Sequence, residues 1–227
     1  MGPIHMASAV SLRQAVALAG HFPLLTGVTL DVAEGEIVHL QGPNGAGKSS
    51  LLRLCSGLVA LASGEATVLG HDLASDRRGV RRDVGLLGHA SFLYDDLTST
   101  ENVRFALRAA GLSGREAGVR AGGALERLGI TGRLATTQVA KLSAGQRRRV
   151  SIAVLLGRQP RLWLLDEPHA GLDQASRDLL DGIIAESREA GSTIVFASHE
   201  LARASGMADR AVRLAGGRVE TEPVVVA

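Results

Sequence analysis

The segment Gly42-Pro43-Asn44-Gly45-Ala46-Gly47-Lys48-Ser49 constrains this chain more than any other. It follows a short apolar run, Ile37-Val38-His39-Leu40, and precedes leucines at helical spacing over residues 49–61. A strand, a glycine loop and a helix in succession make an anion cradle. Glycines at 42, 45 and 47 let the backbone turn with its amides inward and no side chain in the way. The helix that opens at Lys48 adds the positive end of its dipole. In such a loop Lys48 is expected to reach the β- and γ-phosphates of a nucleotide, and the Ser49 hydroxyl to ligate Mg²⁺. The chain has only two lysines, Lys48 and Lys141. Arginine therefore carries the charge needed for solubility, and Lys48 is read as chemistry.

The rest of the chain alternates strand and helix signals. Thr29-Leu30-Asp31-Val32 alternates apolar and polar ahead of a tight turn at Glu34-Gly35-Glu36, and Thr67-Val68-Leu69 reads as a strand ending at Gly70. Residues 90–157 are mainly helical in pattern, with Gly111, Gly114 and Gly129 as breaks, and suggest a helical lobe. Leu162-Trp163-Leu164-Leu165 is a continuous apolar run, as expected of a buried parallel strand. An amphipathic helix over residues 177–188 and a buried strand over 193–196 follow. This alternation predicts an α/β fold with a mainly parallel sheet. Pro223-Val224-Val225-Val226 is either an edge strand or a frayed end.

The apolar run ends in Asp166 and Glu167, at the carboxyl edge where open α/β sheets place ligands. Two adjacent acids there are costly to bury without a partner. Mg²⁺ held through Asp166 would supply one, leaving Glu167 to polarise an attacking water. Taken alone, Glu167 before Pro168 also reads as an ordinary helix-start acid.

Composition narrows the class of partner. Formal net charge is +2, which gives no strong pull toward nucleic acid or lipid. No apolar run approaches the roughly 20 residues that span a bilayer. The single cysteine, Cys55, excludes an internal disulfide and fits a reducing cytosol; on a helix it reads as a small buried thiol. Arg13, Gln14 and His21 interrupt any signal-peptide pattern. Residues 1–6, with Met6 after His5, read as a remnant ahead of the natural start, which leaves residues 7–227 as a single domain.

Together with Leu142-Ser143-Ala144-Gly145-Gln146, these motifs resemble the ATP-binding-cassette ATPases, the nucleotide-binding subunits of ABC transporters. Gly42 to Ser50 resembles the Walker A loop, and Leu142 to Gln146 the family signature. Leu162 to Glu167 is similar to Walker B with its catalytic glutamate. Ala170-Gly171-Leu172-Asp173 looks like the D-loop, and His199 like the switch histidine that contacts the γ-phosphate. The resemblance implies a P-loop NTPase fold: a RecA-like core with an antiparallel β-subdomain and an inserted α-helical subdomain. It implies ATP and Mg²⁺ as cofactors, and a head-to-tail homodimer in which the signature of one subunit caps the nucleotide held by the other. Integral membrane transporter subunits are the implied partners, at the cytoplasmic face of the cell membrane. The small residues Ser143, Ala144 and Gly145 at the start of a helix make a second anion site physically reasonable; alone, the segment would be a simple helix cap.

The chain departs from the family pattern at two places. His89 stands where the family carries a glutamine near Mg²⁺, and imidazole suits that hard cation less than an amide oxygen; a water-mediated or coupling role fits it better. No aromatic occurs at the usual adenine-stacking position, near Ala19; Phe22 or His21 could substitute, and Phe22 could equally belong to the core. Gly88-His89 and the arginine run after Gln146 look like the ATP-binding subunit of the cytochrome c maturation haem exporter. Exporters of drugs or lipids share most of these features. A soluble family member in repair, translation or iron–sulfur assembly is the rival; the chain lacks a second cassette and the basic stripe of a nucleic-acid binder. A P-loop kinase or GTPase would lack the signature and D-loop.

Overall fold

The structure is a computed structural model, and it describes residues 8–220. Residues 1–6 and the 223–226 tail, for which the sequence suggests a remnant and an edge strand or frayed end, lie outside the described residues. In chain order come β1 (Ser8–Ala19), β2 (Phe22–Ala33), β3 (Ile37–Gln41), α1 (Lys48–Cys55), β4 (Leu61–Val68), β5 (His71–Asp72) and β6 (Val84–Leu87). There follow α2 (Ser99–Ala109), α3 (Gly114–Arg127), α4 (Ala144–Arg158), β7 (Leu162–Asp166), α5 (Gln174–Glu189), β8 (Thr193–Ala197), α6 (Leu201–Met207), β9 (Arg210–Ala215) and β10 (Arg218–Val219).

The chain divides into two units. The first takes in residues 8–88, 161–168 and 185–220 among those described, and the second residues 89–160 and 169–184. The first holds two sheets. A six-stranded sheet runs β10-β9-β3-β8-β7-β6, parallel except for β10. Every residue of β7 and β8 is buried, which explains their unbroken apolar character. A four-stranded antiparallel sheet runs β2-β1-β4-β5. One hydrophobic core serves this unit, from Val10, Leu12 and Leu25 to Leu40, Leu54, Leu164 and Leu214.

β1 was not apparent in the sequence, and its geometry says why. Register shifts between Leu12 and Ala15 mark a bulge, with Gln14 at φ +49°. The bulge carries Arg13 and Gln14 outward and breaks the alternation. Gly64 on β4 accommodates it: a Cβ there would lie 2.2 Å from the Gln14 carbonyl oxygen. A second difference concerns the helix expected over residues 49–61. α1 stops at Cys55, because the chain turns at Gly57 with φ +70°, where a Cβ would meet the Arg77 carbonyl oxygen at 2.3 Å. Leu61 belongs to β4 instead.

The second unit is helical. Ala117, Ala121 and Ala124 are buried on α3, and Gly157 of α4 lets the Leu107 side chain approach to 3.2 Å of its would-be Cβ. Gly111 and Gly129 fall just after α2 and α3, but Gly114 opens α3 behind the cap Ser113. A capping box of Thr98 and Glu101 starts α2. Buried Asn102 ties down the approach to it, accepting from the Tyr94 amide at 2.7 Å and donating to the Tyr94 carbonyl at 3.0 Å.

Leu164 is fully buried in β7. Leu164→Ala is expected to destabilise the fold by about 2–5 kcal/mol. Urea unfolding of the two proteins, compared at equal slope, measures the difference.

Candidate nucleotide site

Parallel register sets the site. In β3, β8 and β7, Leu40 pairs with Ala197, which in turn pairs with Asp166. All three strands therefore end at one edge, and each runs straight into a loop carrying a candidate residue.

Beyond β3 lies the glycine loop. Gly42 takes φ +142°, and a Cβ there would lie 2.3 Å from the Leu214 carbonyl oxygen on β9. Only glycine fits so close to a neighbouring backbone. Gly47, at φ +103°, caps α1 and packs against the Leu25 side chain and the Leu24 carbonyl. Pro43, Asn44 and Gly45 are exposed, while Ala46 is buried. Lys48 is only 7% exposed and donates from Nζ to the Gly42 carbonyl at 2.6 Å and the Pro43 carbonyl at 3.1 Å. The ammonium is thus held inside the loop, with donor capacity left for an anion. Ser49 and Ser50, in the first turn of α1, are partly exposed.

Asp166 ends β7, 8% exposed, and α1 packs against that strand. Glu167 follows in the left-handed region at φ +46°, a conformation that costs a non-glycine residue about 1–2 kcal/mol. Its amide donates to the Ala197 carbonyl at 2.9 Å. Its carboxylate accepts from the His199 amide at 3.3 Å and lies 3.5 Å from His199 Nε2. Backbone strain held in place by a neighbouring loop, beside two acids and a histidine, is the arrangement expected where chemistry is done. Among the described residues no three His, Cys, Asp or Glu side chains gather as a metal cage. Ser49 and Asp166 offer hydroxyl and carboxylate oxygens, a donor set that suits Mg²⁺ arriving with the phosphates of its nucleotide.

One functional candidate escaped sequence reasoning. His39, in the middle of apolar β3, is 1% exposed and stacks on Phe196 with ring centroids 4.9 Å apart. Burial holds its pKa below the ordinary 6.5; the nearby Lys48 charge adds to this, while the Ser198 carbonyl and Glu167 oppose it. A polar residue inside an otherwise apolar strand was the available signal. Cys55, by contrast, is fully buried with its thiol pushed up to about 12, which makes it inert.

The second unit holds the remaining candidates. Ser143 caps α4 in a capping box: its hydroxyl accepts from the Gln146 amide at 3.2 Å, and its amide donates to the Gln146 side chain at 2.9 Å. Ser143 and Ala144 are exposed at that helix start. Gly145 abuts the Gly171 carbonyl oxygen, 2.8 Å from its would-be Cβ, so the segments 142–146 and 170–173 pack together. Asp173 accepts from the Ser176 amide at 2.9 Å, and hydrogen bonds from Ser176 hold its carboxyl below the usual value. His169 is buried and bonds Asp181 at 2.7 Å, while its Nδ1 meets no partner among the described residues. His89 is exposed, two residues after β6. Phe22 is 78% exposed at the β1–β2 turn, so it is not a core residue. It lies two residues ahead of Leu24, whose carbonyl touches Gly47.

Residues 25–170 match the family model described as ABC transporter. The chain is 37% identical over 202 residues to the cytochrome c biogenesis ATP-binding export protein CcmA 2 of Cupriavidus metallidurans, covering 88% of this chain and 94% of that protein. It is 35% identical over 220 residues to ATP-binding cassette sub-family A member 7 of Mus musculus, covering 95% of this chain but spanning only 10% of that relative's length. Among solved structures, a dimeric ATP-binding cassette in a post-hydrolysis state bound to ADP and Pi superposes with a TM-score of 0.86 at 29% identity, over 95% of this chain and 98% of that one.

The loop geometry separates two glycines. Gly42→Ala forces a backbone shift against Leu214, whereas Gly45→Ala, with open space and φ +78°, brings only conformational strain. Isothermal titration with nucleotide is expected to find binding weakened by at least about tenfold more in Gly42→Ala than in Gly45→Ala.

Proposed function

The chain belongs to the ABC transporter ATP-binding family, and from that premise we propose that it is the ATP-hydrolysing subunit of a transporter, closing as a pair around nucleotide to move a membrane partner. It is an ABC-type ATP hydrolase of the P-loop fold. The observation that carries the finer reading is the shared strand edge, with Lys48, Asp166, Glu167 and His199 at or just beyond the ends of three paired parallel strands.

In this reading the backbone of residues 42–47 cradles the phosphates, and Lys48 exchanges its bonds to the Gly42 and Pro43 carbonyls for phosphate oxygens. Ser49 and Asp166 hold Mg²⁺, which when bound neutralises charge on the phosphates. Glu167 orients and polarises the attacking water, and His199 donates to the γ-phosphate. Such catalysis is positioning and charge stabilisation. The exposed Ser143 and Ala144, with the half-buried Gly145 and Gln146, at the start of α4 cap nucleotide held by a second copy, with Asp173 on the adjoining segment. The dimeric state named for the solved relative supports this pairing. His89 serves coupling, or reaches the metal through water. Phe22 stacks on adenine, a role supported by its exposure two residues ahead of Leu24, whose carbonyl lies against Gly47.

An integral membrane partner is supported by the second unit. Phe92, Tyr94 and Phe105 are 62%, 55% and 49% exposed there, and Tyr94 packs edge-on to Phe105 with centroids 5.1 Å apart. The chain has only four phenylalanines, one tyrosine and one tryptophan, so this concentration of exposed aromatics favours a docking role. No described helix is long and apolar enough to cross a membrane, so passage itself falls to the partner. The full-length likeness to CcmA 2 favours haem export for cytochrome c maturation, at the cytoplasmic face of the membrane. Export of a different cargo is the second reading, since a sub-family A transporter is nearly as similar.

Glu167→Gln is expected to keep ATP binding, slow turnover at least about a hundredfold, and accumulate a nucleotide-bound dimer on size exclusion; a wild-type rate removes Glu167 from its role. Phe22→Ala is expected to weaken ATP by about 1–3 kcal/mol, with Phe22→Tyr close to wild type. Fluorescence titration with an ATP analogue reads both.

A further inference from the structure

We infer that His39 is a positioning residue for hydrolysis: from the strand that leads into the phosphate loop, it fixes the peptide immediately before His199. The inference rests on the reading of His199 as the γ-phosphate contact.

Register gives His39 its reach. It pairs with Phe196 across the β3–β8 ladder, and the two rings stack nearly parallel at 11°. One strand end further on, His39 Nε2 lies 3.0 Å from the Ser198 carbonyl oxygen. A carbonyl only accepts, so Nε2 carries the proton. Nδ1 is then a lone pair, and Gln41 Nε2 lies 3.3 Å from it as the donor. Both ring nitrogens are satisfied by one tautomer, with the ring neutral. Burial enforces the same state.

Ser198 is itself 5% exposed, and it stands where β8 has run out of ladder partners. The peptides around it are held from three sides. The Glu167 amide takes the Ala197 carbonyl at 2.9 Å, His39 takes the Ser198 carbonyl, and the Glu167 carboxylate takes the His199 amide at 3.3 Å. The Ser198 hydroxyl accepts from the Glu200 amide at 3.1 Å. Of these anchors, only His39 belongs to the strand that carries the glycine loop. Beyond the end of the β3–β8 ladder at Leu40 and Ala197, it is therefore a side-chain link between the strand that leads into the phosphate loop and the loop that presents His199. Loss of the bond would leave a buried carbonyl unpaired, and the loop would turn to find a partner. An imidazole displaced by about an ångström costs rate more than affinity, because nucleotide is gripped mainly by the glycine loop.

A histidine that merely fills the core would behave differently. His39→Leu keeps apolar volume and removes the donor, whereas His39→Gln keeps an amide donor able to reach a carbonyl. Steady-state ATP hydrolysis by His39→Leu is expected to fall about tenfold in kcat with KM within about twofold. His39→Gln should recover to within about threefold of wild type. In a His199→Ala background, already slow, His39→Leu should cause no further loss, since the two act as one unit.

The alternatives are distinct. If His39→Leu and His39→Gln are equally slow, or if the His39→Leu loss adds in full to that of His199→Ala, His39 acts by packing and the inference fails. A slow His199→Ala beside a wild-type His39→Leu overturns His39 alone. A wild-type rate in His199→Ala overturns the assignment of His199, and this inference with it. Should His39→Leu not fold, long-range nitrogen–proton NMR of the wild-type protein still decides: the Nε2–H tautomer is required, and an Nδ1–H tautomer overturns the inference.

Discussion

Three hydrogen-bonded parallel strands ending at one edge are the constraint on which everything else depends. β3, β8 and β7 are short and wholly apolar apart from His39, Thr193 and the terminal Gln41 and Asp166. Their burial on both faces leaves no freedom of register, because a slip by one residue would drive buried side chains into the wrong layer. That rigidity is transmitted to the loops. The carbonyl at the end of β8 receives the Glu167 amide, and the glycine loop after β3 is wedged against β9 at Leu214. A backbone as strained as that of Glu167 persists only when its surroundings over-determine it.

How much of this was legible depends on whether a feature is written in local pattern or in tertiary contact. The glycine loop, the acid pair and the buried strands β7 and β8 were readable because each is a contiguous string with its own physical reason. The second unit's helices were readable as a zone, since their buried alanines and leucines keep helical spacing. β1 was not. Its alternation fails at Arg13 and Gln14, and the bulge that excuses the failure is stabilised by Gly64, some fifty residues away. Similarly, leucines at 58 and 61 extend the helical period of α1, but close contact of Gly57 with Arg77 ends the helix first.

Candidate site residues divide along the same line. Lys48, Asp166 and Glu167 announce themselves through their neighbours in sequence. His199 does so only once those motifs are accepted, and His39 not at all, since its partner Ser198 lies 159 residues away. Phe22 posed the opposite difficulty. Its apolar character suited a core position, yet it occupies the tip of a hairpin, where an aromatic face is left open to solvent and so to a ligand.

The two units distribute these demands unequally. Within the first, Lys48 places two of its three donors on the loop it belongs to. Within the second, Ser143 and Gln146 pair with each other through the capping box, with exposed Ser143 and Ala144 at the start of α4. Gly145 of that helix start rests against Gly171, on a turn where His169 is clamped to Asp181. The chain reaches that turn directly after Glu167 and Pro168. The capping box of α4 is complete by itself, and it leaves Ser143 and Ala144 open to solvent at the helix start.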